Sequence, residues 1–395
     1  MNAFDKKTAG NDIAAMTKAA SQRKAPCVTA VTATVRDYCA AGKRPKAGVL
    51  SKLPLGNALP GFQEIHPAGL VELPPPLTIE PEPHRNFPDH SRVHIPPTYV
   101  ARLRNAWVMK NDGAVIAAEG TLLADVSRVF LGWNGATEHY DDCASPKHLN
   151  GITGLIATAG KGYYHFLWDS VPRLGLLKLG GFEPADLDHL IVKKVNFNCR
   201  DEILELLGID PARLIASHGS SCFEVSELIL PSLVNAEGTR KQPGAPYVPA
   251  KWVCDFLRAS FPPSGKGPEP GAGLYISRRG AAKRRVENEP EVEAFLASRG
   301  IRAVSLETLS FQQQVDLFAA ARIVVAPHGA GLSNLAFCKP GTRVIEIFPP
   351  NEAPPCYWAI SAQCGLTYHY FMGETCVAED SFRTSLEKLE RSVQD

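Results

Sequence analysis

An excess of either charge is nearly absent: 42 Lys and Arg against 41 Asp and Glu leave a formal net charge of +1 over 395 residues. Nucleic-acid binding normally needs a strong basic excess, so that class of partner is not expected. No run of about 18 apolar residues occurs, which excludes an obvious membrane-crossing helix. The start, Met1-Asn2-Ala3-Phe4-Asp5-Lys6-Lys7, leads into no apolar stretch, so a secretory signal is not expected either. The 10 cysteines include no C-x-x-C pair and show no regular spacing, which argues against a zinc ribbon or a redox motif. Scattered cysteines without a signal fit a reducing compartment, where they serve as small buried apolar side chains. The expected location is the cytoplasm.

What is present is the material of an ordinary globular protein, with 45% hydrophobic and 21% charged residues. The length allows two domains, each with its own core. Residues 1 to about 46 carry Lys6, Lys7, Lys18, Arg23, Lys24, Arg36, Lys43, Arg44 and Lys46 against only Asp5, Asp12 and Asp37. Such an arm reads as a solvated, poorly ordered end, with peripheral contact to a membrane surface or an acidic partner as the alternative. A proline-rich stretch follows, from Leu73-Pro74-Pro75-Pro76 to Ile95-Pro96-Pro97. It reads as wrapping or linker rather than core, because proline removes backbone donors.

Beyond Tyr99, Ala106-Trp107-Val108-Met109, Asn111-Asp112-Gly113 and Ala114-Val115-Ile116-Ala117 read as strand, tight turn and strand. A helix is expected from about Tyr164 to Leu179, a strand at His189 to Val192, and a helix at Asp201 to Leu207 that stops at Gly208. Short strands are expected around Leu214 and Leu228. The turn-rich run from Pro262 to Gly271 marks a boundary. After it, strands at Leu274, Ile301, Ile323 and Arg343 alternate with helices opened by Pro290 and capped by Ser310. Alternation of this kind predicts parallel doubly wound sheets. The expected division is an N-terminal arm and wrapping segment (1–97), an acceptor-side α/β domain (98–262), a nucleotide-sugar-binding α/β domain (272–375) and a C-terminal helix (376–395).

The strand at Ile323-Val324-Val325-Ala326 runs into Pro327-His328-Gly329-Ala330-Gly331-Leu332-Ser333-Asn334, where a helix is expected to begin and to end near Pro340-Gly341. Glycines after a strand let backbone approach a ligand, and the free N–H groups of a new helix favour an anion. Ser333 and Asn334 offer side-chain donors, and His328 can donate or stack. The spacing is neither a full G-x-G-x-x-G nor a G-x-x-x-x-G-K-[ST]. A tight turn with glycines used only for packing is the competing reading.

The run from Ala326 to Phe337, followed by Gly341-Thr342-Arg343-Val344-Ile345-Glu346-Ile347, resembles the signature of glycosyltransferase family 61. So do Leu274-Tyr275-Ile276-Ser277-Arg278 and Arg285-Val286-Glu287-Asn288-Glu289. Leu309-Ser310 and Gln313-Gln314 lie between them in the family's order. Tyr163-Tyr164-His165-Phe166-Leu167-Trp168-Asp169 with Pro172-Arg173-Leu174 is similar to the family's N-terminal motif. The resemblance spans roughly residues 98 to 370 and says little about residues 1 to 97. It implies a GT-B-like α/β fold, two Rossmann-like domains facing across a cleft. The implied activity is inverting transfer of a sugar from a nucleotide diphosphate donor, uridine-linked by analogy, to a carbohydrate or other hydroxyl acceptor. Animal and plant members are usually anchored, so this chain resembles a soluble bacterial-type member, with surface polysaccharide synthesis as its expected setting.

The resemblance also implies roles. Arg278, at the end of a strand where open α/β sheets bind ligands, and Arg285 or its neighbours Arg279 and Arg284 would neutralise the departing diphosphate. His328, Gly329, Ala330, Gly331, Ser333 and Asn334 would hold the donor, and Glu346 would accept from ribose hydroxyls or pair with an arginine. His165 and Asp169, at i and i+4 on a helix, would share catalysis: the carboxylate orients the imidazole as general base, or takes the proton itself. Asp186-Leu187-Asp188 precedes a strand instead of following one, so it reads as capping and loop acids. No cofactor is required, and a divalent metal, though possible, is not predicted. Two other readings are compatible with single motifs. His165 to Asp169 also spells the H-x-x-x-D of acyltransferases that use coenzyme A thioesters, and a non-catalytic nucleotide- or glycan-binding protein would keep the same fold.

Overall fold

The computed structural model describes residues 30–33, 35–40, 61–110, 112–123, 125–127, 146–235, 248–269, 271–350, 352–375 and 381–394. The architecture is mixed α/β, with two large sheets. The first has nine described strands. Its path runs Ala30–Ala33, Thr121–Leu123, Ala114–Ile116, Thr98–Met109, Cys222–Pro231, Lys147–Leu155, His189–Lys193 and Leu214–Ser217, and Phe62–His66 pairs beside Thr98–Met109. The side from Cys222–Pro231 to Leu214–Ser217 is parallel, as is the edge pair Ala30–Ala33 and Thr121–Leu123. The long strand Thr98–Met109 runs antiparallel to Cys222–Pro231, Phe62–His66 and Ala114–Ile116. A fully Rossmann-like first half is therefore corrected. The expected hairpin at Asp112-Gly113 is present, with Gly113 at φ 71° turning the chain straight back, and it extends the antiparallel side of this sheet.

The second sheet has six strands, all parallel, in the order Ile301–Val304, Ala272–Ile276, Ala321–Pro327, Arg343–Phe348, Thr367–Met372 and Leu77–Thr78. Counted along the chain from Ala272, the first five follow the order 2-1-3-4-5. The direction of winding switches between Ala272–Ile276 and Ala321–Pro327. Open sheets bind ligands at the carboxyl ends of the strands flanking such a switch. Residues Ile323 to Pro327 are buried without interruption, as expected of a central parallel strand covered on both faces.

The proline-rich stretch wraps, but it also supplies core. Leu77–Thr78 closes the edge of the second sheet. Phe87 is 1% exposed, with its ring 4.4 Å from Tyr370 and 5.2 Å from Trp358. Trp358 Nε1 donates to the Pro74 carbonyl and Asn86 Nδ2 to that of Ala353, so the stretch is tied down at its start and its middle. Truncating Phe87 to alanine should therefore cost about 3–5 kcal/mol. Chemical denaturation should show a lowered midpoint; an unchanged one would mean that the wrapping segment adds nothing to stability.

One apolar core runs between the sheets and includes Leu167, Trp168 and Leu177 together with Leu332, Leu335 and Ala336. The segment Gly162–Leu179 fills its centre. Within it, Phe166–Ser170 forms a π-helical turn between two α-helical pieces. Arg173 is fully buried, its guanidinium donating to the carbonyls of Ala157 (2.7 Å) and Pro231 (2.6 Å). That arginine of the N-terminal motif clamps backbone.

Most of the basic arm, the part invoked for membrane contact, lies outside the described residues. Its described pieces belong to the fold: Ala30–Ala33 pairs with Thr121–Leu123, and Val35 is fully buried. Among the described residues no helix is long and apolar enough to cross a membrane. Cys222 is disulfide-bonded, which departs from the expectation that the cysteines serve as small buried apolar side chains in a reducing compartment. Cys39, Cys199, Cys254, Cys338, Cys356 and Cys364 are free.

Candidate active site

The glycine loop leaves the sheet at the switch point. His328 N–H still bonds the Ile347 carbonyl (2.9 Å), and a 3-10 helix then runs from Ala330 to Phe337. Three contacts fix this helix. Trp168 Nε1 donates to the Ser333 carbonyl (3.0 Å), and the Tyr163 hydroxyl donates to Asn334 Oδ1 (2.5 Å). At the far end Arg258 donates to the Ala336 and Cys338 carbonyls (2.7 and 2.8 Å), a cation set against a helix C-terminus. The two sheets thus meet at this loop.

Ala330 is exposed and Gly331 half-buried, so their backbone is what a ligand can reach. Arg278 lies directly over Gly329, where a β-carbon would collide with its guanidinium. Gly329 is extended (φ 177°), so the glycine is needed there for this close approach and not for its backbone angle. Gly331 has a packing reason as well: a β-carbon there would sit 2.9 Å from Leu306 and 3.0 Å from Ile276. The Arg278 side chain donates to the carbonyls of Arg284 (3.3 Å) and Lys283 (2.8 Å). Burial, then the like charge of Arg284, holds its pKa below the ordinary arginine value. An anion beside Arg278 would relieve both effects.

Several expected ligands are otherwise engaged. Ser333 is fully buried. Asn334 is fully buried too: besides accepting from Tyr163, it donates to Gln314 Oε1 (2.9 Å) and to the Gly331 carbonyl (3.3 Å). Both therefore shape the loop and leave ligand contact to backbone. Arg285 is exposed on a two-residue strand whose next residue, Val286, is buried, so its side chain points away from the core. Arg284 is the cation whose charge acts on Arg278. Arg279 is taken by Glu293 at 2.8 Å.

Glu346 also departs from its expected role. It is 0% exposed, with Oε1 2.5 Å from His328 Nδ1 and Oε2 accepting from the Tyr368 hydroxyl at 2.5 Å. No carboxylate oxygen is left for a ribose hydroxyl. Glu346 instead fixes the His328 ring, which lies 5.4 Å from Phe348 and 5.3 Å from Tyr357, and Nε2 is the edge left over.

The second histidine is built the same way. His165 Nδ1 is 2.8 Å from Asp169 Oδ2, and Asp169 Oδ1 accepts from Asn235 Nδ2 at 2.5 Å. Asp169 is 3% exposed and the His165 side chain 25%, so the imidazole faces solvent and the carboxylate stands behind it. The π-helical turn begins right after His165, and such turns recur at functional sites. Gly160 has no β-carbon because the His165 ring occupies that space. Lys193 holds the same loop by donating to the Thr158 and Ala159 carbonyls (3.1 and 2.6 Å). Tyr164 packs against His165 (5.2 Å) and Tyr357 (5.9 Å), and Tyr357 borders His328, so both histidines lie on one flank. Asp186 closes a capping box with Glu183, and Asp188 accepts from the Ile152 N–H (2.7 Å), so both acids have structural work.

Residues 163–345 match the family model described as glycosyltransferase 61. Over that stretch, less than half of its length, the chain is similar to glycosyltransferase family 61. The matched span takes in His165, Asp169, Arg278 and the whole glycine loop, and ends next to Glu346. Two curated relatives, from Tetraodon nigroviridis and Takifugu rubripes, are named protein O-linked-mannose beta-1,4-N-acetylglucosaminyltransferase 2. They are 34% identical over 97 residues and 33% over 94. Those stretches are 23% and 22% of this chain but only 17% and 16% of the relatives' length.

Two features of this site carry no local sequence signal. Asn235 sits 66 residues from the aspartate it holds. Glu307 lines the clefts on both sides of Gly331. A lone Asn and a lone surface Glu look like any others until the fold brings them to the site.

Proposed function

We propose that this protein is an inverting glycosyltransferase that moves a sugar from a nucleoside diphosphate donor to a hydroxyl acceptor. The observation that carries the reading is the pairing of an anion cradle with an oriented base. The cradle is the exposed Ala330–Gly331 backbone under Arg278; the base is His165, held by Asp169 and Asn235. The acceptor oxygen attacks the anomeric carbon, and the bond from that carbon to the diphosphate oxygen breaks. The acceptor proton passes to His165 Nε2. Asp169 keeps the ring in the tautomer with its proton on Nδ1. The diphosphate leaves with its charge spread over Arg278, Arg284 and the helix start. His328 Nε2, fixed by Glu346, is the remaining side-chain contact for that leaving group. In this reading the arginines supply the positive charge and no metal is needed.

The two sheets, joined at the glycine loop, support a GT-B-like cleft. The acceptor side would be built by residues 98–262 and the donor side by 272–375, with residues 376–395 as an appendage and 1–97 as a wrapping segment. N-acetylglucosamine, the sugar named for the relatives, is the first donor sugar to try, on uridine diphosphate, with polysaccharide synthesis as the setting.

Thermal unfolding of the purified chain with UDP, GDP, CMP or coenzyme A, each with and without manganese, tests the reading. A nucleoside diphosphate at about a hundred times its dissociation constant should add about 2.7 kcal/mol and raise the midpoint by several degrees. A rise with coenzyme A alone would replace sugar transfer by acyl transfer. No rise with any nucleotide would remove the proposed donor.

A further inference from the structure

We infer that the cavity between Phe197 and Glu307 is the donor's nucleoside subsite, with Glu307 as the acceptor for the ribose hydroxyls. This rests on the diphosphate reading of the glycine loop and goes on to say which way the donor lies across it.

Two openings flank the loop. The one beside Arg278 has a volume of about 30 Å³, room for little more than a water. The other has about 340 Å³ and is bounded by Tyr163, Phe197 and Asn198 on one side and by Leu306, Glu307 and Gly331 on the other. That volume falls within the roughly 300–1,000 Å³ typical of small-molecule sites. The helix that begins at Gly162 separates it from the two histidines. Tyr163 turns to the cavity, its ring 5.5 Å from Phe197 and its hydroxyl on Asn334. Tyr164, the next residue, turns to Tyr357 and the histidines. The transferred sugar has to lie on the histidine flank, where the proton is taken, and the diphosphate on the loop between. The nucleoside then extends to the opposite flank, into the cavity.

The cavity's chemistry fits that occupant. Phe197 offers an aromatic surface, and its neighbours Asn196 and Asn198 place amides at the rim. Asn198 Nδ2 donates to the Glu307 backbone carbonyl (3.1 Å), which joins the two walls. The Glu307 carboxylate has no hydrogen bond or ion pair among the described residues, and Arg278 is close enough to feel its charge. A free carboxylate would repel a diphosphate, whereas it accepts well from a ribose diol next to one.

The test measures equilibrium binding to the full chain of UDP, GDP and CDP, and of inorganic pyrophosphate. Glu307→Ala should weaken the tightest nucleoside diphosphate about tenfold, since a hydrogen bond to a charged group is worth roughly 1.5–3 kcal/mol. Pyrophosphate should bind Glu307→Ala at least as well as the unmutated chain. Asn196→Trp, which fills the rim, should likewise cut nucleotide binding and spare pyrophosphate. Both positions are exposed, so neither change should threaten folding. If neither variant alters nucleotide binding while Arg278→Ala weakens nucleotide and pyrophosphate alike, the subsite is wrong and the diphosphate reading stands. If both variants lose turnover only through a raised acceptor KM, the cavity belongs to the acceptor and the inference falls. If the unmutated chain binds no nucleoside diphosphate, the diphosphate reading falls, and the subsite with it.

Discussion

Replacing His165 with alanine should lower sugar transfer by about 10²–10⁴-fold and leave nucleoside diphosphate binding near its wild-type strength. The split is expected because Tyr164 and Tyr357 stand in series between His165 and His328 of the glycine loop. Its ring is one-quarter exposed, so the substitution leaves little cavity and should not unfold the chain. Asp169→Asn should lose activity through a different route. An amide in place of the carboxylate can present its NH₂ to Nδ1, which favours the tautomer whose proton sits on Nε2, the edge that must be free to act as base. Asn235→Ala should show a smaller loss, since Asp169 then keeps His165 but loses its own anchor. Added imidazole should restore part of the rate in His165→Ala and none in Asp169→Asn. Full turnover by His165→Ala would remove it as the base and turn attention to His328.

What could be read in the sequence was local. The Ser310 cap, the proline at the start of the helix Glu289–Ala297, and the turn at Asp112-Gly113 are set by neighbours in the chain, and each appears as expected. His165 and Asp169 were legible as a pair because one helical turn separates them, and the π-helical insertion does not pull them apart. The hidden parts depend on distant pairing. Phe87 looked like part of a linker because it lies in a proline-rich run; its partners Trp358 and Tyr370 lie more than 270 residues away. Glu346 looked free because a strand end is a common place for a ligand contact. What removes it from that role is Tyr368, which its neighbouring strand brings across. The antiparallel pairing of Thr98–Met109 with Cys222–Pro231 was missed because the strand Cys222–Pro231 inserts between two elements far earlier in the chain.

Arg278→Ala should weaken nucleoside diphosphate and pyrophosphate binding alike and reduce turnover by about 10²–10³-fold, the range for loss of one group that stabilises developing charge. Lysine should not rescue it. The guanidinium spans from the carbonyls of Lys283 and Arg284 to the space above Gly329, and a single ammonium cannot hold both ends. Gly329→Ala separates the arginine's position from its presence. The backbone there is extended and accepts alanine without strain, but the new methyl would occupy the place of the guanidinium tip. Arg278 is flexible enough to swing away, so stability should change little while anion binding falls toward that of Arg278→Ala. The double variant should then bind no worse than Arg278→Ala alone, because both changes remove the same contact. Isothermal titration of the four proteins with pyrophosphate measures this directly. Additive losses in the double variant would mean that Gly329 contacts the anion through its own backbone, independently of the arginine above it.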